Sequence, residues 1–332
     1  MNGPVATAEL LADRGAAAES EELFRSRPFL EAEGVTHTLR IAGSDRELLA
    51  PLIIREIEGT DERDAISPYG YPGLVEGGRR GARGSLPAVA PPGTPPTTPA
   101  LDPESIDFSA AGLVSIFIRH TLGEPPLTAA SERNVVQIAD PALPAKTRGS
   151  DRNRINKNVR LGYSVRIVPG PETTDADRAG FLAAYEQTMR RTGATERYFF
   201  GAAYFDRILT SDRTWLAIAE APGGELAATS LAAISDGFLH YYLSGSTDAS
   251  LPDSPMKNVV AALVAFSAEL ELPLNLGGGI SPGDRLEEFK RGFANRELPW
   301  RTSEIICDAN AYARLSSGRG PGGFFPAYRA PS

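Results

Sequence analysis

The sequence predicts an α/β protein with a mixed sheet in two domains, and three observations predict it. The chain has 332 residues, more than one compact core usually holds. Its second half runs through a helical pattern, three short strands joined by tight turns, then helix, strand and helix. No GxGxxG follows a strand and strict strand–helix alternation is missing, which speaks against a dinucleotide-binding sheet.

The elements follow in order. Residues 1–24 are Ala- and Glu-rich and are read as a loose helix or a tail. Val35–Ala42 alternates like a strand, and Leu48–Glu58 continues as a strand pair or hairpin. Residues 74–100 hold many Gly and Pro with little to pack, and are read as a long mobile loop interrupting the first domain. Leu113–Thr121 and Val135–Ile138 are further strands. A basic segment then predicts a helix capped by Ser150 or Asp151 and ending at Leu161–Gly162, with Gly162 past its end. Tyr163–Val168 reads as a strand, Asp175–Thr192 as an amphipathic helix with Phe181, Leu182, Tyr185 and Met189 on one face, and Tyr198–Leu209 as a short helix. Trp215–Glu220, Leu226–Ile234 and Phe238–Leu243 form an antiparallel run turning at Gly223–Gly224 and Asp236–Gly237. Ser254–Pro255 starts a helix to about Leu270, with Ser254 as its cap. The expected domains are 1–145 and 146–308, with 309–332 packing back on the first.

Composition bounds the function. Hydrophobic content of 42% and charged content of 23% are ordinary for a globular protein. A single cysteine, Cys307, permits no internal disulfide, and His37, His120 and His240 show no metal-ligand spacing, so no metal site is expected. No apolar run reaches the roughly 18 residues of a membrane span, and a cytoplasmic monomer is expected. The net charge of −8 weighs against indiscriminate nucleic-acid binding but not against a local basic patch. Such a patch exists: from Lys146 to Arg166 there are seven Lys and Arg against one acid, Asp151. A solvated helix face and a phosphate contact through Arg152, Arg154 and Lys157 are both open readings.

The stretch Leu239–Phe293 carries the chemistry. Gly277, Gly278 and Gly279 end the buried strand LPLNL, where an open sheet usually places its ligand, and glycines there allow close approach and exposed amides. The following helix begins at Asp284 and ends on Lys290 and Arg291, as the helix dipole favours. These cations are either solvated helix-end charges or cleft groups able to stabilise an oxyanion. On the strand His240–Tyr242, either Tyr241 alone or His240 with Tyr242 lines the cleft, because successive side chains alternate. Tyr69 and Tyr71, in SPYGYPG, sit on a turn too rich in Gly and Pro for a core strand and suit ligand stacking.

These pieces resemble the Fem family of aminoacyl-tRNA-dependent peptidyl transferases and its GNAT-like relatives. The resemblance covers roughly residues 135–330, and SPYGY extends it into the first half. It is carried by RNRINKNVRLGYSVRI, AAYEQTMRRTGATERYFF, LHYYLSGST, SPMKNVVAALVAFSAEL and, most specifically, LNLGGGISPGDRLEEFKRGF. It implies two tandem GNAT-like domains and transfer of an amino acid from an aminoacyl-tRNA to the amine of a peptide or small molecule. The acceptor would be a peptidoglycan precursor or a secondary metabolite, and the GC-rich codon usage suggested by abundant Ala, Arg, Gly and Pro leans toward an antibiotic pathway. The lysine of the family's FK motif falls on Lys290, as the group supporting the transition state. The family's acceptor-binding aromatic falls on Tyr241 or Tyr242, and its arginine on Arg197. Tyr204, Asp284, Arg291 and Phe293 complete the expected substrate-binding set, with Arg152, Arg154 and Lys157 expected on tRNA. The pyrophosphate signature of the GNAT class is missing, since the equivalent loop reads SGSTDASLPDSP. No cofactor beyond the aminoacyl-tRNA co-substrate is therefore expected. An acyl-coenzyme A-dependent N-acyltransferase and a non-enzymatic binding pair are the competing expectations.

Overall fold

The computed structural model describes residues 5–14, 20–77, 99–319 and 323–330. The chain divides into two compact units, one formed by residues 1–133 and 300–332, the other by 134–299. The divisions fall earlier than the bounds expected at residues 145 and 308, and the residues after 300 belong to the first unit.

The first unit contains β1 (Ala6–Leu11), α1 (Arg27–Ala32), β2 (His37–Gly43), β3 (Glu47–Glu56), β4 (Arg63–Ile66), β5 (Val75–Glu76), β6 (Ile106–Asp107) and β7 (Ser115–Arg119). The helix or tail expected over residues 1–24 is corrected: Ala6–Leu11 pairs antiparallel with β2, from Ala6 opposite Gly43 to Leu11 opposite Thr38. Ala, Glu and Leu favour a helix, but intrinsic propensity is a small term and pairing in a sheet overrides it. Period-two alternation builds the core, with Leu39 opposite Ala50 and Ile41 opposite Leu48, all fully buried. The residues expected as a strand pair over 48–58 form one strand, β3, that turns back into β4. Of the Gly/Pro-rich loop expected over 74–100, residues 78–98 lie outside the described residues, and Val75–Glu76 pairs with β3.

The second unit contains β8 (Ser131–Ala139, entering from the first unit), α2 (Gly149–Leu161), β9 (Ser164–Pro169), α3 (Asp175–Arg191), α4 (Ala202–Ile208), β10 (Thr214–Glu220), β11 (Leu226–Ser235), β12 (Phe238–Ser246), α5 (Met256–Glu269), β13 (Leu274–Gly277) and α6 (Arg285–Arg291). The chain returns to the first unit along β14 (Arg296–Ile306), which pairs with β7, and continues into α7 (Ala309–Leu315). The second unit's strand order is β8-β13-β12-β11-β10-β9, antiparallel except for the β12–β13 pair.

Local chemistry explains these elements. Asp236 (φ 50°) and Gly237 (φ 75°) both take positive φ, the conformation that a two-residue β11–β12 hairpin requires. Thr174 and Asp177 form a reciprocal capping box on α3. The cap expected at Ser150 or Asp151 is corrected, since α2 starts at Gly149 without a side-chain cap. Asp151 turns inward instead and meets Lys257 Nζ at 2.8 Å. The cap expected at Ser254 is also corrected: Ser254 adopts a left-handed conformation (φ 51°), and no side chain caps α5.

The two helices α3 and α5 cover the sheet. Val259, Val260 and Leu263 of α5 pack on Ala217, Ala219, Ala228, Ala232, Leu239, Leu274 and Leu276. On α3, Phe181 and Tyr185 stack at 6.0 Å and both meet Phe205 edge-on. The backbone of α3 at Ala184 comes so close to Gly245 of β12 that a Cβ there would lie 2.4 Å away.

Candidate active site

The strands β12 and β13 are hydrogen-bonded neighbours at only two positions, Leu239–Leu274 and His240–Asn275, and then part. A register shift lies immediately beyond, because Ala232 of β11 faces Tyr241 while Leu231 faces Leu243, leaving Tyr242 as the extra residue of a bulge. On the other side of the opening, Gly277 (φ 75°) turns the chain out of β13.

Side chains hold this glycine turn at each of its residues. Asn275 Oδ1 accepts from the Gly277 N–H at 2.8 Å. Lys290 Nζ donates to the Gly278 carbonyl at 2.6 Å. Asn134 Nδ2 donates to the Gly279 carbonyl at 2.9 Å. The expectation of three exposed glycine amides is thus corrected for Gly277, whose N–H is bound within the protein.

Lys290 is only 8% exposed, and burial pushes its ammonium down to about 8 against the opposing pull of the Asp284 carboxylate. A Cβ built on Gly277 would stand 3.1 Å from Nζ, so the absence of a side chain leaves room for the amine. α6 delivers this lysine from its last turn, and Asp284 caps the helix by accepting from Glu287 N at 2.8 Å. The other Asp284 oxygen accepts from Ile280 N at 2.7 Å and Ser281 N at 3.0 Å. Burial acts to raise its pKa, but these backbone donors outweigh it and hold the carboxyl below the ordinary range. Asp284 is therefore a cap and loop clamp, an ionised carboxylate poorly suited to take a proton.

Two other expected ligand residues point elsewhere. Arg291 pairs with Glu287, one turn earlier, and approaches Glu297 at 3.4 Å. Phe293 is 1% exposed and packs edge-on with Phe289 in the α5 core, which corrects its expected contact with substrate.

The tyrosine strand separates its side chains. Tyr241 packs against the α5 core with its hydroxyl 2.7 Å from Ser244 Oγ, and burial pushes that hydroxyl up to about 12. Tyr242, at the bulge, is half-buried and meets the Tyr204 hydroxyl at 3.0 Å, while the Tyr204 ring stacks on Phe200 at 4.1 Å. His240 is buried: Nε2 donates to Ser235 O at 3.1 Å, and Nδ1 accepts from Asn275 Nδ2 at 3.0 Å. Burial lowers its pKa to about 4, so the ring is neutral and serves to orient Asn275. Arg197 is exposed and lies over the Tyr198 ring at 4.8 Å.

The remaining expected residues are distributed as follows. Tyr69 and Tyr71 belong to the first unit, where the Tyr71 ring sits edge-on to Phe24 at 5.6 Å and to Trp300 at 5.8 Å. On α2, Arg152 and Lys157 are exposed, whereas Arg154 faces Asp253 at 3.8 Å. Among the described residues, no group of His, Cys, Asp and Glu is arranged to hold a metal ion. Two turn-holding residues were not singled out from sequence. Asn275 carried a usable signal, a lone amide inside the apolar run LPLNL, but Asn134 carried none.

Residues 145–291 match the family model of the acetyltransferase (GNAT) domain. No curated protein sequence matches the chain significantly. Among solved structures, FemX is similar over 91% of this chain and 96% of its own, with a TM-score of 0.59 at 11% identity. L-PGS from Bacillus licheniformis is similar over 84% of this chain and 90% of its own, with a TM-score of 0.51 at 13% identity. The C-terminal domain of a lysylphosphatidylglycerol synthetase from Agrobacterium fabrum is similar over 90% and 91%, with a TM-score of 0.52 at 13% identity. At such identities the structures show the fold alone, and together with the domain match they give the chain a mixed α/β fold that carries a GNAT domain over residues 145–291.

Proposed function

We propose that the protein is an aminoacyltransferase that moves an amino acid from an aminoacyl-tRNA to the amine of a peptide or small molecule. The observation that carries this reading is the buried Lys290 ammonium on the glycine turn where β12 and β13 part. An aminoacyl ester is already activated, so the chemistry asks little of a base. The neutral amine of the acceptor attacks the ester carbonyl, a C–N bond forms, the C–O bond to the tRNA ribose breaks, and the amine proton passes to the departing ribose oxygen. Between these steps the carbonyl oxygen carries negative charge, and a preorganised donor in a dry site lowers that barrier by about 3–4 kcal/mol. Lys290 is the donor, and Gly277, Gly278 and Gly279 admit the ester beside it. Tyr204 and Tyr242 bind the acceptor through their hydroxyls, with Arg197 as a further contact to test.

The loop between β12 and α5 supports a donor other than coenzyme A. It is a short 3-10 helix, Asp248–Asp253, and the Asp253 carboxylate accepts from the Tyr163 hydroxyl at 2.9 Å close to the start of α5. That carboxylate also faces Arg154 at 3.8 Å, and as an acceptor it offers a pyrophosphate no hydrogen-bond donor. The deciding experiment incubates the protein with a mixed pool of charged tRNAs and candidate amines and follows the mass increment on the amine. Transfer abolished by RNase is the expected result, whereas transfer that survives RNase with acyl-coenzyme A as the sole donor overturns the reading.

A further inference from the structure

We infer that the outward face of α2, carried by Arg152, Asn153, Asn156, Lys157 and Arg160, docks the sugar–phosphate backbone of an RNA. All five residues are exposed. Arg152, Asn156 and Arg160 recur every fourth residue, and Asn153 and Lys157 stand beside that row on the same face. From Arg152 to Arg160 the row is about 12 Å long at 1.5 Å per residue, enough to reach more than one phosphate.

The state of the charges sets this face apart from the arginines of the neighbouring elements β9 and α3 and from Arg154 on its own helix. Arg154, Arg166, Arg178 and Arg191 all have carboxylate partners. Among the described residues, Arg152, Lys157 and Arg160 have none, and Arg152 reaches only the Thr147 carbonyl at 3.3 Å. Three unpaired cations thus stand side by side on one helix face of an acidic chain, interleaved with two amides able to bond phosphate and ribose oxygens. The face is also fixed in direction. The inward side of α2 is held by Asp151 on Lys257 and by Asn158 Nδ2 on Asp253 O at 2.9 Å and Asn258 Oδ1 at 2.8 Å. Arg154, expected on tRNA from the sequence, lies off this face, and Arg160 takes its place.

RNA is favoured over an anionic membrane because the centre of the face is wholly polar, with the exposed apolar residues Val159 and Leu161 on its two edges. The inference rests on the aminoacyl-tRNA reading for the identity of the RNA. Its test is the binding of the full-length protein to labelled, uncharged tRNA, by fluorescence anisotropy over a salt series. The combined variant Arg152→Ala, Lys157→Ala, Arg160→Ala is expected to bind at least tenfold more weakly at low salt. Its log K against log salt slope should become shallower by about 2–3. Arg190→Ala, which removes a cation paired with Glu186 on α3, should leave the slope unchanged. Should a thermal melt show the triple variant unfolded, Arg152→Gln and Arg160→Gln read the same quantity singly, each reducing the slope by about 1. A triple variant with wild-type slope and affinity overturns the inference. So does one that loses binding to phosphatidylglycerol vesicles while its tRNA slope is unchanged, which would assign the face to a lipid surface. Loss of slope together with RNase-insensitive transfer supports the face and overturns the donor reading, whereas RNase-sensitive transfer with an unchanged slope does the reverse.

Discussion

Lys290 shows how one side chain can carry two demands. Its ammonium is held by a single carbonyl, that of Gly278, in a place where burial favours the neutral amine. If the cation supports transfer, kcat/KM falls as pH rises through about 8, and Lys290→Arg, which stays charged, removes that limb from the pH profile. Lys290→Ala should lower kcat/KM at least tenfold with the far-UV spectrum unchanged. The sign for stability is opposite to that for transfer. A lysine whose folded pKa is depressed weakens the fold when charged, so stability is lost as pH falls from the ordinary lysine value to about 8, and no further below it. The gap between thermal melts of wild type and Lys290→Met should therefore open as pH falls from the ordinary lysine value to about 8, and stay constant below it. At this scale the sequence was informative where a residue's type limits its use. Lys290 in an FK motif beside a glycine turn could be singled out, and Asp284 could be read as a helix start. Phe293 could not be assigned, because an apolar ring is equally at home in a core or against a ligand. Arg291 could not either, because its pairing with Glu287 depends on which way a long side chain turns.

Among the elements, α2 is held by polar contacts and β12 by a close approach of backbone to α3 beside its apolar packing. Asn158 is fully buried, and Asn158→Ala removes the bonds to Asp253 and Asn258 while leaving both acceptors in place, at a cost of about 2–3 kcal/mol in denaturant unfolding. Gly245→Ala drives a methyl into the α3 backbone at Ala184 and should cost about 3 kcal/mol or more, read as a lower melting midpoint. The amphipathic helix α3 and the hairpin of β11 and β12 were legible because periodicity and turn chemistry agree with their final places. Residues 6–11 were not, because an Ala-rich stretch takes its conformation from the strand it meets. The bulge at Tyr242 was also out of reach, since a register shift is decided between strands.

On the scale of the whole molecule, the first unit is assembled from distant parts of the chain. Asp64 is fully buried and accepts from Arg55 at 2.7 Å, from Tyr328 at 3.0 Å and from Arg329 at 2.6 Å. Asp64→Ala takes the buried carboxylate from two partly exposed guanidinium groups and leaves the Tyr328 hydroxyl with Ser115 alone, and should cost about 3 kcal/mol while making residues 323–330 an early site of proteolytic cleavage. The tandem architecture could be anticipated from length and from the family-like motifs, but the return of the tail onto β4 rests on contacts 264 and 265 residues apart that no local pattern announces.

The placement of β14 has a consequence for how the protein is made. When synthesis has delivered residue 299, the second unit has all of its residues, while β7 still lacks its neighbour, because the paired segment Thr302–Ile306 has yet to emerge. Until then β7 presents an open edge, the feature by which nascent chains join one another. The second unit can thus fold before Thr302–Ile306 leave the ribosome, whereas the first must wait for them, and in that interval the open edge of β7 needs protection from other nascent chains.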